Sequence, residues 1–341
     1  MENKNNNNIL TKKDFAVGQQ VKWCAGCGNY SILSAVTNTL PEIGVKKENV
    51  VFVSGIGCSS RFPYYVNTYG FHGIHGRAAP IASGIKLANP DLSVWIITGD
   101  GDSMAIGGNH FIHILRRNIN VNILLINNKI YGLTKGQYSP TTPFGSITKT
   151  SPDGTVENPF KPGELAMGAE ATFYARVVDT EPKKMTEVFI EAAKHNGTSL
   201  VEILENCVIF NNQVHSSITG KDVKDDNQIY LEHGKRMIFG KEHNKGLILN
   251  GLKLEAVTIG ENGITEDDIL IHDARDSDDT MHYLLTRMTL PEYPIATGII
   301  RSFKSTGYGT LLQEKIEDAK EITKLHSVND LLNSGNTWEI N

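Results

Sequence analysis

The sequence contains no apolar run of about 18 residues, the length a helix needs to span a bilayer, so a membrane-crossing helix is excluded. Nor does it carry an excess of positive charge: 33 Lys and Arg face 38 Asp and Glu, a net charge of -5. Without a basic patch, nucleic acid is not expected as the main partner, and any phosphate or carboxylate ligand needs a local site. Cysteine is scarce, with four in 341 residues, and a chain long enough to bury a large core needs no disulfides to fold. The opening stretch from Met1 to Phe15 holds an asparagine run and no apolar core, so it reads as neither a secretory signal nor an anchor. Residues 1–14 are expected to form a flexible tail, and the chain to be soluble and cytoplasmic.

What is present is a regular alternation. Apolar runs at Val50–Ser54, Val94–Thr98, Val121–Asn127, Tyr174–Val178 and Ser199–Leu204 read as buried strands. Between them the pattern predicts helices over Tyr30–Leu40, Ala78–Leu87, Asn109–Arg117, Pro162–Ala171 and Lys183–His195. That order predicts an α/β fold, a mostly parallel sheet with helices on both faces. Tyr131–Lys161, rich in Pro, Gly, Ser and Thr, predicts a long ordered loop over a site or an interface. Beyond Cys207 the pattern weakens: strand-like Leu247–Ile259 and Asp268–His272, a helix over Thr280–Met288 and an exposed helix over Leu311–Ile322. Residues 15–207 thus read as the ligand-binding domain, and 208–341 as an extension that contacts a partner subunit.

Two strand ends carry chemistry. Gly99-Asp100-Gly101-Asp102 closes one strand and Asn127-Asn128-Lys129-Ile130 follows the next. The 28 positions from Asp100 to Asn128 accommodate a crossover helix and a return strand, placing both at the carboxyl ends of neighbouring parallel strands, where such sheets bind ligands. An aspartate and an asparagine suit Mg2+, which takes a few side-chain oxygens and completes its shell with phosphate. The flanking glycines admit a phosphate to the backbone, and the helix opening near Gly107-Gly108-Asn109 is expected to aim its dipole at negative charge. Gly, Asp and Asn also favour turns for their own sake, so either segment alone carries little. The four cysteines, Cys24, Cys27, Cys58 and Cys207, match one tetrathiolate site, with zinc, 4Fe-4S and plain buried thiols as the readings.

The segments WCAGCGNY (23–30), GIGCSSRFPYY (55–65), IHGRAAPIASGIKLANP (74–90), GDGDSMAIGGNHFIHILRRN (99–118) and NNKIYGLTKGQYSPTT (127–142) together resemble the 2-oxoacid:ferredoxin oxidoreductase beta subunits. The resemblance covers roughly 15–210 and continues more weakly to the end. It implies a thiamine-diphosphate-binding fold with a C-terminal extension. It implies that Cys24, Cys27, Cys58 and Cys207 hold one 4Fe-4S cluster, and that Asp100, Asn128 and the carbonyl of Ile130 hold Mg2+. Ile56, Gly57, Cys58, Ser59, His75, Gly101, Asp102, Gly132 and Leu133 are then expected to contact thiamine diphosphate. The implied reaction is oxidative decarboxylation of a 2-oxoacid to an acyl-coenzyme A, with electrons leaving through the cluster to ferredoxin.

Arg61 stands where the family commonly carries a lysine associated with the substrate's distal carboxylate. With Leu133 at the pocket wall and Lys135 in the same loop, this favours 2-oxoglutarate, with pyruvate or broad specificity next. Arg61 facing solvent or a partner is the alternative. His72 reads as a packing residue, and His110 and His113 as a structural pair. No glutamate falls within the cofactor motifs, and in the family that carboxylate comes from an alpha subunit, so a heterodimer, or a dimer of heterodimers, is expected. The rival functions are a non-oxidative thiamine-dependent decarboxylase subunit and a non-catalytic four-cysteine metal protein.

Overall fold

The computed structural model of the chain describes residues 10–338 and 340. Residues 1–9 of the expected tail lie outside the described residues; Lys12–Phe15 form a 3-10 turn that buries Phe15. Eleven strands are described: β1 (Val50–Ser54), β2 (Tyr69–His72), β3 (Ser93–Gly99), β4 (Val121–Asn127), β5 (Phe173–Val178), β6 (Thr198–Leu204), β7 (Gln228–Leu231), β8 (Ile238–Phe239), β9 (Lys245–Asn250), β10 (Lys253–Thr258) and β11 (Ile295–Ser302). Eight form one sheet in the order β2-β1-β3-β4-β6-β5-β11-β7, and β8 to β10 form a small antiparallel sheet. Every pairing in the large sheet is parallel except β11 with β5.

The period-two rule explains the layering. Val51 and Val53, Val94 and Ile96, and Ile123 and Leu125 face one core, while Val50 and Phe52, Trp95 and Ile97, and Leu124 and Ile126 face the other. The first face is covered by α2 (Ala78–Ala88) and α4 (Gly108–Arg117), which supply Ala82, Phe111 and Ile114. The second is covered by α1 (Asn29–Glu42) and α6 (Pro182–Lys194), which supply Ile32, Ala35, Val188 and Phe189. The remaining helices are α3 (Asp100–Met104), α5 (Pro162–Gly168), α7 (Ser216–Thr219), α8 (Lys224–Asn227), α9 (Thr280–Arg287), α10 (Tyr308–Ile322) and α11 (Val328–Leu332). Full burial of residues such as Phe52 and Phe189 contributes about 1.5–3 kcal/mol each.

The division at 207/208 does not coincide with a break in the fold, because β7 and β11 return from the later segment to extend the same sheet. Leu247–Ile259 is not one strand but a hairpin turned at Gly251, whose φ of 60° lies in the left-handed region. Asp268–His272 is not a strand: Asp268 closes a short 3-10 turn, and the rest is loop apart from a single bridge between Ile271 and Arg236. β2 was not expected at all: its four residues are exposed and leave no burial pattern. His72, expected as packing, is exposed there and shares a hydrogen bond with the Tyr64 hydroxyl at 3.0 Å.

Candidate active site

β1, β3, β4 and β6 are neighbours, so their carboxyl ends deliver four loops to one edge of the sheet. Three of them surround a cavity of about 620 Å³, within the usual range for a cofactor site. Its lining includes Ile56, Gly57, Cys58 and Ser59 after β1, Asp100, Gly101 and Asp102 after β3, and Asn128, Ile130, Gly132 and Leu133 after β4, with His75 alongside. Tyr131, Thr134 and Gln137 join them; they lie within the 127–142 segment but were not among the expected cofactor contacts.

Asp100 is buried, and two hydroxyls converge on its Oδ2: Ser139 donates at 2.5 Å and Thr141 lies at 2.6 Å. No side-chain donor among the described residues reaches its Oδ1. Burial raises its carboxyl above the ordinary range, against the pull of the Ser139 and Thr141 hydroxyls. Asn128 donates from Nδ2 to Glu205 Oε2 at 2.8 Å, which fixes the amide so that Oδ1 is its acceptor; among the described residues that oxygen accepts only from the Ile130 amide at 3.2 Å. A carboxylate and an oriented amide oxygen beside a cavity are a donor set suited to Mg2+.

Asp102 works differently. Its Oδ1 accepts from the Ile56 amide (3.0 Å), the Gly76 amide (2.7 Å) and His75 Nδ1 (2.8 Å), and its Oδ2 accepts from the Thr98 hydroxyl (2.8 Å). This one buried carboxylate ties the β1 loop, the His75 loop and β3 together. Gly55 is glycine for the same reason, since a Cβ there would stand 2.1 Å from Asp102 Oδ2. A Cβ on Gly101 would enter the Tyr131 ring at 2.3 Å; that ring's hydroxyl donates to the Gly101 carbonyl at 3.0 Å.

The cysteine loops are joined by side-chain and backbone hydrogen bonds. Trp23 Nε1 donates to the Cys58 carbonyl at 2.7 Å, and the Gly28 amide to the Asn206 carbonyl at 3.4 Å. Cys27 donates its thiol to Glu205 Oε1 at 3.1 Å. A Cβ on Gly132 would lie 3.5 Å from the Cys207 sulfur and 3.8 Å from that of Cys58, so the cavity and these sulfurs share a wall. Burial, with Cys207 next, pushes the Cys58 thiol up to about 11, and burial and Glu205 push that of Cys27 higher. Thiols gathered where their thiolates are disfavoured suit a cationic metal centre that supplies the missing charge. No three His, Cys, Asp or Glu side chains among the described residues converge tightly enough to hold one ion.

Several expected residues lie elsewhere. Arg61 is on the short 3-10 turn Ser59–Tyr64, close enough to lower the Cys58 pKa but absent from the cavity wall. Lys135 is exposed beyond Leu133 at the tip of the loop. The start of α4 does not face the cavity: α3 intervenes, and Gly107 instead packs on Gly76 and the Asp102 carbonyl. Glu205 escaped the sequence reading. It is fully buried, burial pushes its carboxyl up to about 7 against the pull of Cys27 and Asn128, and its position at the end of an apolar strand beside Cys207 was the available signal.

Residues 55–203 match the family of thiamine pyrophosphate enzymes, C-terminal TPP binding domain. The chain is 46% identical over 331 residues to the 2-oxoglutarate oxidoreductase subunit KorB of Mycobacterium tuberculosis, covering 96% of this chain and 88% of that one. It is 47% identical over 185 residues to the 2-oxoglutarate synthase subunit KorB of Archaeoglobus fulgidus, covering 54% of this chain and 69% of the relative. Among solved structures, a chain of the 2-oxoglutarate:ferredoxin oxidoreductase from Magnetococcus marinus, with 2-oxoglutarate, coenzyme A and succinyl-CoA bound, aligns at a TM-score of 0.77 and 30% identity over 97% of each chain. Fold, cavity and relatives agree: the chain belongs to the 2-oxoacid:ferredoxin oxidoreductase beta-subunit family.

Proposed function

We propose that this beta subunit binds thiamine diphosphate in the cavity between β1, β3 and β4, with Mg2+ held by Asp100, Asn128 Oδ1 and the Ile130 carbonyl. Cys24, Cys27, Cys58 and Cys207 would hold one 4Fe-4S cluster. When bound, these groups supply the carbanion stabilisation for decarboxylation, the charge that neutralises the diphosphate, and a one-electron outlet. The chain's own residues do the rest. Asp102 holds the Ile56 and His75 segments in place, Glu205 orients Asn128, and the Gly132 backbone separates the cavity from two sulfurs. The substrate is a 2-oxoacid, 2-oxoglutarate first, with coenzyme A as acyl acceptor and ferredoxin as electron acceptor, in the cytoplasm and together with an alpha chain. The relatives' names and the substrate-bound structural neighbour support 2-oxoglutarate over pyruvate.

The observation that carries the reading is the shared wall at Gly132, which leaves no intervening layer between the cavity and the Cys58 and Cys207 sulfurs. The test is anaerobic co-purification with the alpha chain, measuring iron and thiamine and then coenzyme-A-dependent viologen reduction with 2-oxoglutarate and pyruvate. About four irons per beta chain with faster turnover of 2-oxoglutarate is the expected result. Zinc in place of iron, or folded protein that stays iron-free after cluster reconstitution, would overturn the cluster assignment.

A further inference from the structure

A second cavity, of about 310 Å³, opens off the same exit from β4: Asn127 and Lys129 line it, whereas Asn128 and Ile130 line the cofactor cavity. We propose that this second cavity is a binding site for a small organic carboxylate with a short apolar chain, held at its charged end by Lys129 and Arg176.

Counting charges gives the sign of the ligand. Glu202, almost completely buried, accepts from Arg176 Nε at 2.8 Å, from the Tyr174 hydroxyl at 2.5 Å and from Asn127 Nδ2 at 2.7 Å. Its oxygens are therefore taken. The Lys129 ammonium has no hydrogen bond or ion pair among the described residues, yet it stands close enough to Glu202, Arg176 and Asp100 to feel all three charges. Arg176 sends Nη1 to the Ala296 carbonyl at 3.2 Å, and its Nη2 has no protein acceptor among the described residues. His215 adds no charge: burial, and then Lys129, hold its pKa down to about 4, and its ring pairs with the Asn127 carbonyl at 3.0 Å. Three cations line the cavity against one carboxylate, but Lys161 is paired with Glu164 at 2.8 Å. Asp100, which Lys129 also feels, stands off this wall and is given to Mg2+ in the proposed cofactor site, so Lys129 and Arg176 against Glu202 leave one positive charge in excess. An unpaired cation away from water is costly, and an incoming carboxylate supplies the missing charge.

The remaining wall selects the rest of the ligand. Phe160, Leu204, Ile218, Met288, Leu290 and Ile295 are apolar, which suits an alkyl chain and offers inorganic phosphate too few donors. Occupancy would also be felt at the cofactor, an arm that rests on the proposed Mg2+ site. Asn127 donates to Glu202 and accepts from Thr141 at 2.9 Å, and the same Thr141 hydroxyl lies on Asp100. One hydroxyl proton serves one acceptor at a time, so a shift of Asn127 redistributes it between Asn127 and Asp100.

The test is isothermal titration of the alpha–beta enzyme with valerate, which has no 2-oxo group and cannot be decarboxylated, with butylamine as the cationic counterpart. Valerate is expected to bind saturably and butylamine not at all, with and without thiamine diphosphate. Lys129→Met should weaken valerate at least about tenfold, the loss of one charge-assisted contact. Ser217→Trp, which plugs the exposed mouth without touching either cation, should do the same. No valerate binding to the unaltered enzyme, or binding to either variant as tight as to the unaltered enzyme, would overturn the assignment. Neither outcome bears on the metal and cluster contents that test the proposed function.

Discussion

Replacing Asp102 by asparagine isolates the charge of the hub from its shape. Three donors meet at Oδ1 and one at Oδ2, and an asparagine can keep all four contacts by placing its oxygen on the Ile56 amide, the Gly76 amide and His75, and its NH2 on the Thr98 hydroxyl, which turns to accept. What is lost is charge assistance, about 1 kcal/mol for each bond to Oδ1, so local opening of the three joined segments becomes easier by about 2–3 kcal/mol. Hydrogen exchange measured on peptides covering 55–59 and 73–78 should accelerate about 30- to 150-fold, at roughly a factor of ten per 1.4 kcal/mol. Asp102→Ala, which leaves two buried amides without an acceptor, should exceed this, and peptides from α6 should not change in either variant. Exchange at 55–59 unaffected by Asp102→Asn, or affected equally by both substitutions, would refute the hub.

Three further outcomes follow from the geometry. Gly101→Ala forces the Tyr131 ring from its place, and the overpacking, about 1–3 kcal/mol, should weaken thiamine diphosphate binding by about tenfold or more; Tyr131→Ala in the same chain should restore part of the loss if the collision is the cause. His195 and His272 are buried and neutral, with burial lowering each from 6.5 to about 4, so the unfolded chain binds their protons first and stability falls as pH drops from about 6.5 to 4. The loss approaches about 3 kcal/mol for each, and His195→Asn should flatten the urea midpoint over that window; an unchanged slope would show that His195 is not the group responsible. Cys58→Ser and Cys207→Ser should each deplete iron without altering the circular dichroism spectrum, and a variant that retained full iron would remove that cysteine from the ligand set.

Strands β1, β3, β4, β5 and β6 were legible because they are buried on both faces, so their apolar runs are continuous, and the helices between them were legible because they end at Pro, Gly or a polar stop. β11 was hidden by Thr297, Gly298 and Arg301 within it, although Arg301 is held by carbonyls and His282 and Gly298 takes a positive φ against β7. β2 presents four exposed residues, and no periodicity can announce a strand with no buried face. The motif residues of the cavity were legible because glycine, aspartate and asparagine at strand ends are uncommon in that order. Ser139 and Thr141 were not, because a hydroxyl in a long Ser/Thr-rich loop says nothing about which carboxylate it reaches across the fold.

The asparagine pair itself divides into two roles that spacing alone does not separate. Successive residues at the end of a strand point to opposite sides, and each amide here meets a glutamate from β6 or its exit. Asn127 donates to Glu202, part of the buried Arg176 and Tyr174 network, whereas Asn128 donates to Glu205, which also receives the Cys27 thiol. Because a carboxylate can only accept, both amides are forced to turn their oxygens away: Asn127 toward Thr141, and Asn128 toward the backbone of Ile130 beside the cavity. Replacing Glu205 by a residue without an acceptor would free the Asn128 amide to flip and present NH2 where an oxygen is needed. The same side chain would leave Cys27 without its partner, so one substitution should disturb the proposed Mg2+ end of the cavity and the cysteine loops together. Glu202→Gln, by contrast, should leave the Asn128 orientation intact.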